Sequence, residues 1–263
     1  MTTYSTLELR VEHGVGELKL TRPDVHNRFD DELLDELGPA LAALDRDPGV
    51  RAVVWSSTGR HFSAGGDTET ILDGARDLGH LLRGVDRGRA LYRSFADFGK
   101  PLVVALHGHV FGVATSLVLT ADAVVTTATA KLVDPHVHMG LVAGDGGCIS
   151  WPVNLPLVRA KRHLLWGDPL TGQQAFDLGL VSDLCDEPGQ VRDEAFRLAH
   201  RVAGLPPVAV QLTKRTLNRG LAARVDEVLD TGFAYEAISN RTADVVEAVE
   251  AFKQGREGRW TGA

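Results

Sequence analysis

The sequence predicts an α/β fold in which strands and helices alternate, followed by a C-terminal region made only of helices. Three observations predict it. Apolar and polar residues alternate with a period of two near the start, β-rich apolar runs then alternate with helical stretches, and strand patterns end near residue 157. A chain of 263 residues is long enough to bury a large core without disulfides.

The first predicted elements are a β-hairpin and a helix. Residues 7–11 and 17–21 alternate in polarity around a glycine turn at 14–16, as a half-buried hairpin does. Apolar residues spaced three and four apart then predict an amphipathic helix over residues 30–44, and Pro39 is expected to kink it.

Further along, the runs 50–56 and 101–106 are apolar on both faces, which is typical of fully buried strands. A loop with a helix of uncertain bounds is predicted between them. Residues 112–120 predict a helix and residues 121–127 another strand.

The C-terminal region is predicted to be helical and to start near the Pro-Pro pair at 206–207. Its last helix has Val245, Val249 and Phe252 on one face, Lys253 in its last turn and Gly255 just beyond it. We therefore predict a core over residues 1–204 and a helical oligomerisation region over residues 205–263.

Composition excludes several functional classes. With 28 Lys and Arg against 35 Asp and Glu, the formal charge is −7, so binding of nucleic acid through overall electrostatic attraction is not expected. Two cysteines, Cys148 and Cys185, make no disulfide framework, and neither a secretory signal nor a membrane-spanning stretch is predicted. We therefore expect a cytoplasmic protein. The sequence patterns of phosphate-loop NTPases, α/β-hydrolases and zinc proteases are not found in it.

Three glycine-rich segments are the candidates for chemistry. Residues 59–67 (GRHFSAGGD) follow a predicted strand and can present free backbone N–H groups to a ligand. The alternative is an ordinary strand-to-helix turn with Asp67 as the helix N-cap. Residues 105–116 (ALHGHVFGVATS) contain a predicted strand and lead into a helix whose first N–H groups could face an anion. The alternative is that the small residues in this segment only allow the helix and strand to pack closely.

The third segment, residues 134–147 (DPHVHMGLVAGDGG), combines two histidines, two aspartates and four glycines. By itself it is compatible with a turn-rich connection in which Asp145 caps the next helix. Together with two loops that present N–H groups, it supplies the parts of a site that stabilises an oxyanion and moves a proton.

These segments resemble the crotonase family, also called the enoyl-CoA hydratase/isomerase family. Besides the segments above, residues 22–27 (RPDVHN), 175–181 (AFDLGLV) and the tail near 252–256 are similar to family patterns in order and spacing. The resemblance implies a spiral of ββα repeats, a homotrimer or hexamer, and an acyl-CoA thioester as substrate. It implies no cofactor apart from the coenzyme A of the substrate, and we expect no metal ion.

The resemblance also implies which residues form the site. By position, the oxyanion would be held by the N–H groups of Ala64 and Val113, although the family usually has glycine at the second position. Residues expected to bind substrate are Arg28, Ala64, Gly66, Asp67, Gly112 and Lys253. For the phosphates of coenzyme A, Arg22 and Arg256 are further candidates.

The sequence departs from the hydratase pattern at both acid–base positions. The two glutamates of the family's hydratases are replaced by Ser116 and His136. Serine is a poor base, whereas the ordinary pKa of histidine, near 6.5, suits proton transfer. We predict that Asp145 contacts one ring nitrogen of His136 and turns the other toward substrate. The alternative is a structural histidine with Asp145 as a cap.

Three functions remain open at this point. The first is an acyl-CoA hydratase or isomerase with His136 and Asp145 in place of the glutamates, and Ser116 nearby. The second is a retro-Claisen hydrolase that cleaves a carbon–carbon bond of a β-diketone, a chemistry that the His/Asp loop also resembles. The third is an acyl-CoA-binding homologue without catalytic activity.

Overall fold

The computed structural model describes residues 3–263, which form nine strands and ten helices. The strands are β1 Leu7–Glu12, β2 Val15–Leu20, β3 Ala52–Ser57, β4 Leu102–Ala105, β5 His109–Phe111, β6 Ala123–Thr127, β7 Lys131–Val133, β8 Leu170–Thr171 and β9 Asp183–Cys185. The helices are α1 Asp31–Arg46, α2 Thr68–Arg76, α3 Leu78–Ala96, α4 Val113–Val118, α5 Gly147–Asn154, α6 Leu157–Trp166, α7 Gly172–Asp177, α8 Pro188–Ala203, α9 Pro207–Asn240 and α10 Ala243–Gln254.

Two sheets organise the molecule. The larger has the strand order β1-β2-β3-β4-β6-β9, and within it only the predicted β1–β2 hairpin is antiparallel. The smaller sheet has the order β5-β7-β8. The mixed α/β class and the helical C-terminal region are thus confirmed. None of the helices over residues 3–263 is long and apolar enough to cross a membrane.

The large sheet is covered on both faces, and every residue of β3 and β4 is buried. Val53 and Trp55 point into the main core, while Val54 between them packs against a second cluster under α8. Successive side chains of a strand point to opposite faces, so a strand between two layers needs apolar residues at every position. The predicted buried strands are confirmed on this basis.

Several element predictions need correction. The region 57–99, predicted as a loop with one helix, contains two helices, α2 and α3. The helix predicted over residues 30–44 is present as α1 and ends two residues later than predicted, at Arg46. Residues 136–139, within the third glycine-rich segment, form a turn of 3-10 helix. Asp145 does not cap the next helix, because α5 has Gly146 at its N-cap.

The C-terminal helices share the core of the rest of the chain. Val225, Leu229 and Phe233 of α9 belong to the main hydrophobic cluster together with residues of the sheet and of α3. The division at residue 204 stays a prediction, although α9 starts just beyond it. What matters for function is that α9 crosses the loop after β7.

Candidate active site

The loop after β3 lies beside β5. The N–H of Phe62 donates to the carbonyl of His109 at 2.9 Å, and Ser63 forms an isolated bridge with Val110. Gly65, at φ +79°, is needed here because a Cβ would lie 2.6 Å from the carbonyl oxygen of Phe111. Two of the predicted segments, 59–67 and 105–116, therefore form one wall of a shared site.

The prediction for Ala64 is wrong, because its N–H is already used. It donates to the carbonyl of His26 at 2.9 Å and is not directed at a ligand. Among residues 3–263, the N–H of Gly66 has no hydrogen-bond acceptor, although the residues on either side of it bond to Phe29. Gly66 lines the main cavity of the site, so it replaces Ala64 as the donor that faces the cavity.

Val113, the first residue of α4, is the second predicted donor. Its N–H also has no acceptor within residues 3–263, and the residue lines the same cavity as Gly66. Gly112 precedes it with φ +53°, a conformation that L residues other than glycine rarely adopt. This turn directs the chain from β5 into α4. The structure is thus compatible with the predicted role of the Val113 N–H.

His136 lies between two aspartates. Its Nδ1 is 2.6 Å from Asp134 Oδ1, and its Nε2 is 3.1 Å from Asp145 Oδ2. The predicted contact with Asp145 is confirmed, but the prediction that the other ring nitrogen faces substrate is wrong. That nitrogen contacts Asp134, which follows β7 and is buried.

The charge of this ring is fixed by its neighbours. Burial alone would lower the pKa of His136, but the charges and hydrogen bonds of Asp145 and Asp134 outweigh burial and raise this pKa well above its ordinary value. The ring is therefore an imidazolium near neutral pH. It orients Asp145, which lines the cavity where His136 does not.

Ser116 lies behind Asp145 and not in the cavity. Its side chain is fully buried, and its hydroxyl is 3.4 Å from Asp145 Oδ1 and 3.5 Å from the carbonyl of Gly112. This position suits a residue that holds Asp145. It contradicts a direct catalytic role for Ser116.

Glu236 is the site residue that the sequence prediction missed. Gly144 and Gly232 allow α9 to contact the loop, since a Cβ on Gly144 would lie 2.1 Å from the carbonyl oxygen of Gly232. Glu236 follows Gly232 by one helical turn and therefore reaches the cavity beside Asp145. Its sequence context in a long helix gives no local signal of this position.

The carboxyl of Glu236 is neutral near pH 7. One of its oxygens, Oε2, is buried without a hydrogen-bond partner among residues 3–263. Burial and the nearby charge of Asp145 raise the pKa of Glu236 to about 8, although the charge of His136 acts in the opposite direction. The site thus contains a carboxylate paired with imidazolium and, next to it, a carboxylic acid.

Ligand atoms of His136, Asp145 and Glu236 lie within 4.8 Å of one another, so these residues are the ones that would hold a metal ion if one bound. In the structure, the His136 ring nitrogens instead face the two aspartates. These two contacts explain the close approach of the side chains as that of a hydrogen-bonded acid–base group.

The predicted phosphate-binding residues all have acidic neighbours. Arg22 forms a two-pronged contact with Asp30, with distances of 2.7 and 2.8 Å, and also donates to the carbonyl of Arg28, so its terminal nitrogens are already engaged within the protein. Arg28 is 3.3 Å from Asp67, which lines the cavity. The remaining candidates, Lys253 and Arg256, pair on the surface with Glu69 and Glu247 respectively. Exposed pairs such as these contribute little energy and can exchange partners.

The N–H groups and acids described above line a cavity of about 150 Å³. Gly66, Val113, Asp145 and Glu236 line it, together with side chains from α1, α2, α3 and α9. Its apolar wall is formed mainly by Phe29, Leu34, Ile71, Leu81, Val85 and Phe233. The arrangement is suited to an apolar group whose polar end meets the two N–H groups and the two acids.

Comparisons with known proteins show which family the chain belongs to. The family described as enoyl-CoA hydratase/isomerase matches residues 10–263. The chain is 31% identical to 1,2-epoxyphenylacetyl-CoA isomerase of Escherichia coli over 96% of this chain and 97% of that protein. An enoyl-CoA hydratase/isomerase structure from Mycobacterium paratuberculosis superimposes with a TM-score of 0.90 at 34% identity, covering 95% and 99% of the two chains.

A third similar structure is a β-diketone hydrolase from the cyanobacterium Anabaena sp. PCC 7120, bound to (S)-3-oxocyclohexyl acetic acid. It has a TM-score of 0.84 at 25% identity and covers 90% of this chain and 95% of that one. Fold and site together define a crotonase-type enzyme. The chain belongs to the enoyl-CoA hydratase/isomerase family.

Proposed function

We propose that the protein hydrates an enoyl-CoA thioester through an enolate, with Asp145 and Glu236 as its proton-transfer groups. This proposal depends on one observation. The unpaired N–H groups of Gly66 and Val113 line the same cavity as these two acids. The predicted pair His136 and Asp145 is thereby revised, since His136 becomes a positioning residue for Asp145.

The two N–H groups are proposed to bind the thioester oxygen. Negative charge develops on that oxygen when the enolate forms, and donors already fixed in the backbone need no reorganisation to stabilise it. Loss of one such donor typically costs about 3–4 kcal/mol in the transition state. The open space at Gly66, where a Cβ would meet nothing within 4 Å, leaves room for the thioester.

The two acids are proposed to add water across the double bond. Asp145 accepts a proton as water forms a bond to the β-carbon, and the neutral Glu236 gives its proton to the α-carbon of the enolate. The raised pKa of Glu236 keeps that proton available near neutral pH. A proton passed from Asp145 to Glu236 then restores the starting state, since their oxygens lie within 4.8 Å.

Coenzyme A is proposed as part of the substrate and not as a separate cofactor. Arg28 is the cation next to the cavity wall, through its contact with Asp67, and Lys253 is the second candidate for a phosphate. A homotrimer or hexamer remains our prediction for the assembly.

Turnover of crotonyl-CoA and longer enoyl-CoAs, followed by loss of enone absorbance, tests this proposal. We expect activity in the native protein and a loss of at least about 100-fold in kcat for Asp145→Asn and Glu236→Gln. Two exposed acids supply matched controls, and Asp186→Asn and Glu250→Gln are expected to keep full activity. Activity that survives in both site variants would refute the assignment.

A second candidate is a hydrolase that cleaves a carbon–carbon bond of a β-diketone. It is favoured by the similarity to the Anabaena β-diketone hydrolase and by the buried contact of His136 with Asp145. In this case Asp145 would activate water for attack on a ketone, and the leaving enolate would take up a proton. Cleavage of cyclic and linear β-diketones without coenzyme A, abolished in His136→Ala, would support this function over the first.

A further inference from the structure

Two polar atoms at the apolar part of the cavity lack hydrogen-bond partners within residues 3–263. They are Oδ1 of Asn240, at the end of α9, and Nε2 of His80, on α3. Both residues line the same cavity as Glu236 and Val113. A buried polar atom without a partner costs free energy, so a ligand that supplies the missing partner gains affinity.

The orientation of the Asn240 amide is fixed by its other end. The side chain is only 5% exposed, and its Nδ2 donates to the carbonyl of Ile71 at 3.2 Å. A flipped amide would bring two carbonyl oxygens together, so the acceptor Oδ1 is the atom directed away from Ile71.

Gly74 lies next to that acceptor. A Cβ at Gly74 would lie 3.0 Å from Asn240 Oδ1, and Gly74 also lines the cavity. With any larger residue there, the amide oxygen would contact a side chain in place of a ligand.

The position of Asn240 relative to the acids sets where the ligand's polar group must be. Asn240 follows Glu236 by one turn of α9, which is a rise of about 6 Å along the helix. The matching group on the substrate therefore lies several bonds beyond the reacting carbons, on the distal part of the acyl chain.

The chemistry of the cavity selects among possible distal groups. No Lys or Arg from residues 3–263 lines it, whereas Asp67, Asp145 and Glu236 do, so a distal carboxylate would be buried without a cation to pair with. A hydroxyl can donate its one hydrogen to Asn240 Oδ1 and accept with its oxygen from an N–H at His80 Nε2, without burying a charge.

We propose that this cavity selects an acyl-CoA whose chain bears a distal hydroxyl group, held by Asn240 and His80. The inference rests on the proposed acyl-CoA function and adds its substrate class. A neutral hydroxyl satisfies both unpaired atoms, whereas a plain methyl end leaves them unpaired.

Equilibrium binding of saturated thioesters tests this directly, because these compounds are not hydrated. The probes are octanoyl-CoA, 8-hydroxyoctanoyl-CoA and suberyl-CoA, together with the set hexanoyl-CoA, 6-hydroxyhexanoyl-CoA and adipyl-CoA, measured by calorimetry on the full-length protein. In at least one set we expect the hydroxyacyl compound to bind about 10-fold more tightly than its methyl-ended partner. The carboxylate compound is expected to bind most weakly.

Variants of Asn240 then test whether this residue causes the preference for a hydroxyl group. Asn240→Leu and Asn240→Ala are expected to remove the hydroxyl preference while binding of the methyl-ended thioesters is kept. Asn218→Leu, on the same helix but bonded to Ala96 outside the cavity, is the matched control and keeps the preference. Comparison of the ligands on the native protein remains decisive if an Asn240 variant does not fold.

The two proposals fail in different ways. If plain acyl-CoAs bind but hydroxyacyl-CoAs bind no more tightly in either set, the inference about the hydroxyl is overturned and the acyl-CoA function stands. If no thioester binds, including butyryl-CoA, the proposed function fails and the inference fails with it.

Discussion

Replacement of Glu236 by glutamine is expected to stabilise the protein, and to do so more as the pH rises. In the folded protein the pKa of Glu236 is raised from about 4.5 to about 8, so the folded state holds a proton that the unfolded chain releases. The stability contributed by this group is complete below pH 4.5 and is lost as the pH rises to about 8. Glutamine has a similar shape and does not ionise, so Glu236→Gln removes this loss.

The magnitude follows from 1.36 kcal/mol for each unit of pKa shift. The free energy of unfolding of Glu236→Gln is expected to exceed that of the native protein by about 3 kcal/mol at pH 7, and by up to about 5 kcal/mol at pH 9. Near pH 4.5 the two proteins should be almost equally stable. These are upper values, because Glu236 lines a cavity that admits water.

Urea unfolding at pH 5, 7 and 9 measures the difference, with Glu250→Gln as an exposed control that changes little at any pH. A difference between native and Glu236→Gln that is independent of pH would refute the reasoning, as would destabilisation that grows with pH. The same variant is expected to lose activity, so stability and activity should move in opposite directions.

Three further predictions concern the backbone donor, the helix crossing and the imidazolium. Gly66→Pro removes the unpaired N–H and puts a ring carbon in its place, so it is expected to lower kcat about 100- to 1000-fold, whereas Gly66→Ala keeps the N–H and is expected to lose less activity in the same assay. Gly144→Ala inserts a Cβ 2.1 Å from a carbonyl of α9 and is expected to lower both Tm and kcat, while Gly220→Ala, with no neighbour within 4 Å, should stabilise α9 by about 0.5–1 kcal/mol in thermal unfolding. His136→Gln removes a positive charge that lowers the pKa of Glu236. A pH–rate profile should therefore show this pKa shifted upward, with a lower maximal rate. An unchanged profile would contradict the pairing of His136 with Asp145.

The sequence was informative wherever structure depends on local patterns. The hairpin and the buried strands follow from side-chain periodicity, which burial on one or two faces imposes directly. The contact of His136 with Asp145 was also predictable, because nine residues that include two glycines are enough for the loop to return. Family patterns added the order of the segments.

What could not be predicted depends on contacts made elsewhere in the chain. The N–H that is free after β3 belongs to Gly66 and not to Ala64 because His26, far away in sequence, accepts from Ala64. Glu236 reaches the site only because Gly144 and Gly232 let two backbones touch. Neither fact has a local signature, since a free N–H and a buried carboxyl are defined by their neighbours in space.

Exchange of α-protons in heavy water tests the central claim most directly. Butyryl-CoA has no double bond to hydrate, but an enzyme that forms a thioester enolate between the Gly66 and Val113 N–H groups will exchange its α-protons, as proton NMR can follow. At about pH 9, where Glu236 is ionised and can accept the α-proton, we predict exchange in the native protein, at least about 100-fold slower exchange in Glu236→Gln, and the native rate in Glu250→Gln. No exchange from the native protein, or equal exchange in Glu236→Gln, would contradict the account.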